Sequence, residues 1–309
     1  MPKPNFIIVG AAKAGTTSLY RYLESHPQVF MPELKEPLFF IKESIKNHTV
    51  DPWVKEAIAK SSKGKTYIDK WEDYLKLFEG GKNAKAIGEA SATYLYYYRE
   101  SIPGIKKALG EAKIIIILRD PVKKAFSQYK YLKKRHAEPL SFKEGIMKEN
   151  DRIEQDYSTL YHYTKQGFFA KQVEAFIRHF ENVKVVLLND LQKNPMTVLN
   201  EIADFLEIEP FEQNVSLVRH NATEHIPRSR FIGKIINHPL VRVIRKGVIQ
   251  TIFPGYYKKI KNKLLDINSI NPVLSDETAQ LLEELFKNDV EKLEKVINRN
   301  LTCWKKHKH

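Results

Sequence analysis

An α/β fold with a central, mainly parallel sheet flanked by helices is what the sequence predicts, on three observations. Apolar, β-branched runs alternate along the chain with segments of helical periodicity, the signature of strands joined by crossover helices. One run, AKIIIIL at 112–118, is continuous and shows no polar alternation, as expected of a parallel strand covered on both faces. The opening stretch NFIIVGAAKAGTTSLYRYL (5–23) passes from an apolar run through a glycine-bracketed loop into a helix start. That layout cradles phosphate.

Each element follows from local chemistry. Residues 6–10 read as the first strand, and 16–24 as a helix closed by His26-Pro27. Val29-Phe30-Met31 is a short strand. PELKEPLFF (32–40) is an irregular segment bounded by prolines, and 50–80 reads as helical and aromatic with charge on one face. Ala86–Gly88 opens a strand that runs into GEASATYLYYY, and 99–109 reads as a helix. After the 112–118 strand, Arg119 ends the run. Asp120-Pro121 supplies an N-cap followed by proline at the first helical position, so a helix is expected over about 121–135. A helix at 167–181, a strand at 183–188 and a helix at 195–207 follow. The helix expected over 275–297 places Leu281, Leu282, Leu285, Phe286, Val290, Leu293 and Ile297 on one face.

The chain has 309 residues, which suits one domain over 1–309 with ample core. Its 42% apolar and 28% charged content is that of a soluble globular protein and argues against a disordered chain. No run approaches the roughly 18 apolar residues of a spanning helix, and MPKPNFIIVG is too short in apolar length for a signal peptide. The lone cysteine, Cys303, allows no internal disulfide, which fits a reducing compartment. The expected location is therefore cytoplasmic. The net charge of +14 points to an anionic ligand or surface and leaves room for a peripheral place on the inner membrane surface.

The loop is the most informative feature. Gly10 and Gly15 have the spacing of a G-x4-G-K-[ST] nucleotide loop, but Thr16 stands where that motif needs lysine, and the lysine is at position 13. No apolar strand ending in aspartate stands out to hold Mg²⁺ opposite it. The looser pattern G-x-x-K-x-G-T-[ST]-x-L resembles the 5′-phosphosulfate loop of sulfotransferases that use 3′-phosphoadenosine 5′-phosphosulfate (PAPS). It is most similar to the heparan-type and bacterial carbohydrate branch. IIIILRDPVKKAFSQY (114–129) resembles the second signature of those enzymes, a strand, an arginine, then a helix with a serine eight residues on. KEPLFF (35–40), GEASATYL (88–95) and the segment 274–304 stand in the order the family shows. Leu38 and Ala90 depart from the heparan-type enzymes, which carry histidine and lysine there.

The resemblance implies a P-loop-like three-layer fold and sulfuryl transfer from PAPS, releasing adenosine 3′,5′-bisphosphate (PAP), with no metal required. Positioning and charge stabilisation would supply most of the catalysis. Lys13 is then expected to meet charge on the leaving 5′-phosphate. The loop Gly10, Ala12, Lys13, Ala14, Gly15 and the helix start Thr16, Thr17, Ser18 would bind that phosphate through backbone N–H groups and hydroxyls. Arg119 and Ser127 are implied as the grip on the 3′-phosphate, arginine because its planar fork binds phosphate oxygens in pairs. Glu36, preceding Phe39-Phe40, matches the family's glutamate base. Glu89 is the rival base, or else a support for Lys13 or a sheet-edge carboxylate. Arg228, in HNATEHIPRSRF (220–231), is a further expected phosphate contact.

The acceptor is expected to be a saccharide, lipid or small metabolite, and nucleic acid is not expected as a partner. The tyrosines Tyr94, Tyr96, Tyr97 and Tyr98, with Trp53 and Trp71, are candidates for stacking on sugar rings. Residues 225–263 hold ten Lys or Arg and no Asp or Glu around an apolar stripe, a composition suited to an acceptor or membrane-surface element. Two other readings stay open on the residues alone. One is a P-loop nucleotide kinase or NTPase. The other is a basic, non-catalytic module that binds a polyanion or membrane.

Overall fold

A computed structural model describes residues 1–46, 68–212, 226–227 and 269–304. Its centre is a five-stranded sheet of β1 (Phe6–Gly10), β2 (Val29–Phe30), β3 (Ala86–Ala90), β4 (Lys113–Leu118) and β5 (Val183–Leu187), in the order β2-β3-β1-β4-β5. Every pairing is parallel. Among the described residues, the only other sheet is the two-residue antiparallel pair of β6 (Ile226–Pro227) with β7 (Ser269–Ile270).

The side chains of β1 and β4 divide between two cores, as a strand's period of two requires. Ile7, Val9, Ile114, Ile116 and Leu118 join one cluster with α2 (Tyr98–Leu109), α3 (Pro121–Lys134), α4 (Phe169–His179) and α6 (Asp276–Val296). Phe6, Ile8, Ile115 and Ile117 join a second cluster with α1 (Thr16–Glu24) and α5 (Pro195–Leu206). Three layers result, helices covering both faces of a sheet whose central strands are buried, which is why AKIIIIL carries no polar alternation.

The local signals act as chemistry dictates. Asp120 caps α3 by accepting from the N–H groups of Val122 and Lys123, with Pro121 at the first helical position. The face of α6 is narrower than its spacing suggests. Leu282, Phe286, Val290 and Leu293 are buried, whereas Leu281 and Leu285 are 48% and 43% exposed. Each of those two follows or precedes a buried residue by one position, about 100° around the helix, and so points off the buried stripe. Of the helical stretch expected over 50–80, the described residues show a helix at Trp71–Lys76; residues 47–67 lie outside the described set. No helix among the described residues is long and apolar enough to cross a membrane.

Beneath α3 a buried ion pair ties the connection to β5 together. Arg152 donates through Nη1 and Nη2 to Glu138 at 2.6 and 2.9 Å, and Tyr163 OH donates to the same carboxylate at 2.6 Å. The Glu138 side chain is wholly buried. Arg152→Ala would strand that carboxylate, so a stability loss of about 3–5 kcal/mol is expected in urea unfolding. A loss below about 1 kcal/mol would mean that the pair behaves as a solvated one.

Candidate active site

The sheet order locates the site. β1 and β4 are hydrogen-bonded neighbours, yet the helices that follow them pack on opposite faces. Ligands in open parallel sheets sit at such a switch point, beyond the carboxyl ends of the strands. The glycine loop leaves β1 there, and Arg119 leaves β4. The two are joined directly: the Ala11 N–H donates to the Ile117 carbonyl at 2.7 Å, and Arg119 Nη1 donates to the Lys13 carbonyl at 3.2 Å.

The loop conformation explains its residue types. Gly15 is left-handed (φ 99°) as it enters α1, and a Cβ there would lie 2.6 Å from Leu188 Cδ1, so only glycine fits. A Cβ on Gly10 would lie 2.4 Å from that of Leu95. No side chain caps α1, and its first turn carries no acid. The Ala14 N–H is taken up by the Ala11 carbonyl at 3.1 Å. The N–H groups of the first turn, Thr16 to Ser18, are therefore those an anion would meet, with the positive end of the helix dipole behind them. Thr16 is buried, and Thr17 and Ser18 are half-buried.

Lys13 takes the left-handed conformation (φ 66°), an outlier for a lysine of the kind that clusters at functional sites. Burial, together with Arg135, Arg119, Lys35 and Lys134 nearby, lowers its pKa to about 8. Its Nζ lies 4.2 Å from the ring centroid of Tyr131, and the Arg135 guanidinium carbon lies 3.6 Å from the same ring. Lys130 is a further cation lowered by burial and by Arg119. So many positive groups around one uncapped helix N-terminus are suited to an anion. Ser127 is half-buried on α3, one turn before Lys130 and Tyr131.

Glu36 is also left-handed (φ 61°). Its N–H donates to the Ala90 carbonyl at 3.0 Å, and its Oε2 accepts from the Ala92 N–H at 2.8 Å. Its other oxygen pairs with Lys35. The side chain is 33% exposed, so a substrate can reach it. Glu36 also acts electrostatically on Tyr131, the ring under the loop lysine.

Glu89 has a different environment. It is fully buried on β3, a central strand, and it receives hydrogen bonds from Ser91 Oγ at 2.7 Å, from Tyr74 OH and from Tyr94. Burial pushes its pKa up to about 7 despite those donors. Ser91 Oγ in turn accepts from the Leu38 N–H, and Tyr94 OH from the Phe40 N–H, both at 3.3 Å. Glu89 thus anchors the segment that carries Glu36. The sheet-edge alternative falls, because β3 lies between β2 and β1.

Other expected residues divide. Tyr94 is wholly buried, and Tyr96, Tyr97 and Tyr98 are half-buried. Trp71 stacks on Tyr74, 5.4 Å between centroids. Trp53, Arg228 and nearly all of 225–263 lie outside the described residues; β6 itself lies beside α3. Sequence reasoning missed Tyr131, Arg135 and the wholly buried Lys124. The Lys124 Nζ donates to Gln128 Oε1 at 2.8 Å and Gln166 Oε1 at 3.0 Å. The spacing Ser127, Tyr131, Arg135 at i, i+4, i+8 was a signal for the first two, since it puts them on one helix face. A cavity of about 550 Å³ is lined by Lys3, Phe39, Trp71 and Lys107, and none of Lys13, Glu36 and Arg119 lines it. Among the described residues, no group of three or more His, Cys, Asp or Glu side chains could hold a metal ion.

Comparison with known proteins agrees with this layout. A model of the Sulfotransferase family matches residues 4–213. The chain is 35% identical over 157 residues to the membrane-associated sulfotransferase kil1 of Dictyostelium discoideum, covering 49% of this chain and 29% of that protein. It is 26% identical over 215 residues to mouse bifunctional heparan sulfate N-deacetylase/N-sulfotransferase 4, covering 67% of this chain and 22% of that protein. The aligned parts thus span less than a third of either relative's length. A crystal structure of a sulfotransferase from Alicyclobacillus acidocaldarius superposes with a TM-score of 0.72 at 29% identity, over 99% of this chain and 100% of that one.

Proposed function

Because the chain belongs to the Sulfotransferase family, we propose that it transfers a sulfuryl group from PAPS to a hydroxyl or amine of an acceptor, a saccharide or glycolipid. The observation that carries this reading is the junction of the two phosphate signatures. The Lys13 loop and Arg119 leave adjacent strands and meet through the Arg119–Lys13 hydrogen bond.

PAPS carries its phosphosulfate on the 5′ position and a separate phosphate on the 3′ position of the same ribose. In our reading the first-turn N–H groups of α1 and the hydroxyls of Thr16, Thr17 and Ser18 hold the 5′-phosphate. Arg119 and Ser127 hold the 3′-phosphate. Glu36, a third exposed, takes the acceptor proton as the acceptor oxygen or nitrogen bonds to sulfur. The S–O bond to the 5′-phosphate breaks in line, and its electron pair stays on the phosphate oxygen of PAP. The Lys13 ammonium meets that growing charge. Glu89, out of reach of any acceptor, positions Glu36 through Ser91. The family membership supports PAPS as donor. The relative named for heparan sulfate supports a saccharide acceptor. We place the protein on the cytoplasmic side, with its net charge of +14 favouring anionic acceptors or an anionic membrane surface.

Calorimetric titration of PAP into wild type, Lys13→Ala and Arg119→Ala tests the donor site, with ATP and Mg²⁺ as the control. Arg119→Ala is expected to cost about 2–3 kcal/mol of PAP binding, roughly a 30- to 150-fold loss, because a charge-assisted contact to phosphate is removed. Indifference to PAP together with clear ATP binding would replace this reading with the kinase one.

A further inference from the structure

Lys13 poses an electrostatic problem. Among the described residues, no carboxylate forms an ion pair with it. The charged groups acting on it or its neighbours come from three elements. Arg119 follows β4, Lys35 and Glu36 stand on the 32–40 segment, and Lys124, Lys134 and Arg135 belong to α3 or its end. All but Glu36 are positive, and Glu36 is paired with Lys35. A further carboxylate, Glu149, acts on Lys124 from outside these elements and accepts from the N–H groups of Thr164 and Lys165. A flexible ammonium in such surroundings would turn out toward solvent unless something held it. The group against it is an aromatic face: Nζ lies 4.2 Å from the Tyr131 centroid.

We propose that Tyr131 is a positioning residue, whose ring holds the Lys13 ammonium at the mouth of the phosphate site before the donor arrives. A cation over an aromatic face is attracted by the ring quadrupole, and more strongly where water is displaced, as at this half-buried site. The ring supplies attraction without a full counter-charge. A carboxylate in its place would compete with the donor phosphate, whereas a neutral ring yields the lysine when phosphate arrives. Arg135 over the same ring adds the repulsion that makes Lys13 available. The role deepens the sulfotransferase reading and rests on it, since the loop is taken to bind PAPS.

The test reads Lys13 directly and needs no donor. Only the neutral amine reacts with acetic anhydride, so the pH dependence of Lys13 acetylation, followed by mass spectrometry, reports its pKa. Wild type is expected near pH 8. Tyr131→Phe keeps the face and should stay within about 0.2 unit. Tyr131→Leu and Tyr131→Met remove it and should lower the midpoint by about half a unit or more, since the ammonium loses a stabilising partner. Arg135→Gln should raise the midpoint, because a like charge is removed. An unchanged midpoint in both Tyr131→Leu and Tyr131→Met overturns the proposal. Unfolding is distinguishable, since it moves the midpoint the opposite way, toward the ordinary lysine value of about 10.4, and a Tyr131→Phe variant that behaves like Tyr131→Leu also overturns it. PAP added to wild type should slow Lys13 acetylation at least tenfold. Absence of that protection, with the Tyr131 shifts intact, would count against the donor assignment and leave the positioning role standing.

Discussion

Glu36→Gln is expected to lower kcat by about 10²–10⁴-fold with any acceptor that the wild type sulfates, while PAP affinity stays within about twofold. The amide removes the proton-accepting oxygen but still offers a carbonyl to the Ala92 N–H, so the segment's geometry survives. Glu89→Gln is the discriminating companion. Glu89 is wholly buried and acts through Ser91 and Tyr94, so its replacement should shift stability more than chemistry. The sign of that shift follows from its pKa, raised to about 7 in the fold. Between its unfolded value, about 4.3, and 7, the folded state binds more protons than the unfolded one. Its contribution to stability is therefore complete below the unfolded value and is lost as pH rises through 7. The Glu89→Gln variant lacks this dependence. Unfolding midpoints measured from pH 4 to 8 in both proteins check the linkage. A Glu36→Gln enzyme that keeps a third or more of wild-type kcat would remove Glu36 from the role of base.

The fold and half of this site were legible in the chain, for physical reasons that differ by residue. The strand 113–118 declared itself because both of its faces are buried, so no polar residue interrupts it. That Lys13, Gly15 and Arg119 would come together was legible because the glycine loop, the helix start and the arginine stand at fixed offsets from strand ends. Tyr131 and Arg135 were not, since KYLKKR reads as the solvated end of an amphipathic helix. Only packing α3 against the loop turns one of its polar-flanked tyrosines into a platform for Lys13. Glu89 was ambiguous because a carboxylate at the end of a strand looks the same whether its neighbours are water or three hydroxyls. Its assignment needed the chain to fold Tyr74 and Tyr94 onto it. Leu281 and Leu285 erred the other way: seven apolar positions fit a broad stripe, but α4 and its neighbours cover only a narrow one.

Lys13→Ala should separate catalysis from folding most sharply. In the proposed reaction the ammonium meets charge that appears on the bridging oxygen only as the S–O bond breaks, so kcat is expected to fall by about 10²–10³-fold, as when a single oxyanion donor is removed. Affinity for PAPS should fall less, because the first-turn N–H groups of α1 and Arg119 still hold its phosphates. The apo protein should not suffer. With its pKa lowered to about 8, Lys13 costs stability while it is charged, and that cost is relieved between about pH 8 and the unfolded value near 10.4. Removing it lifts the cost at neutral pH, so the unliganded variant should unfold at the same temperature as wild type or higher, while the stabilisation that PAP confers shrinks. Thermal unfolding at pH 7 with and without PAP reads both effects in one experiment. The trade is the expected one for a residue held, left-handed and among like charges, for its ligand rather than for the fold. A variant less stable without PAP than wild type, yet equally stabilised by it, would mean that Lys13 serves the loop's structure and not the leaving group.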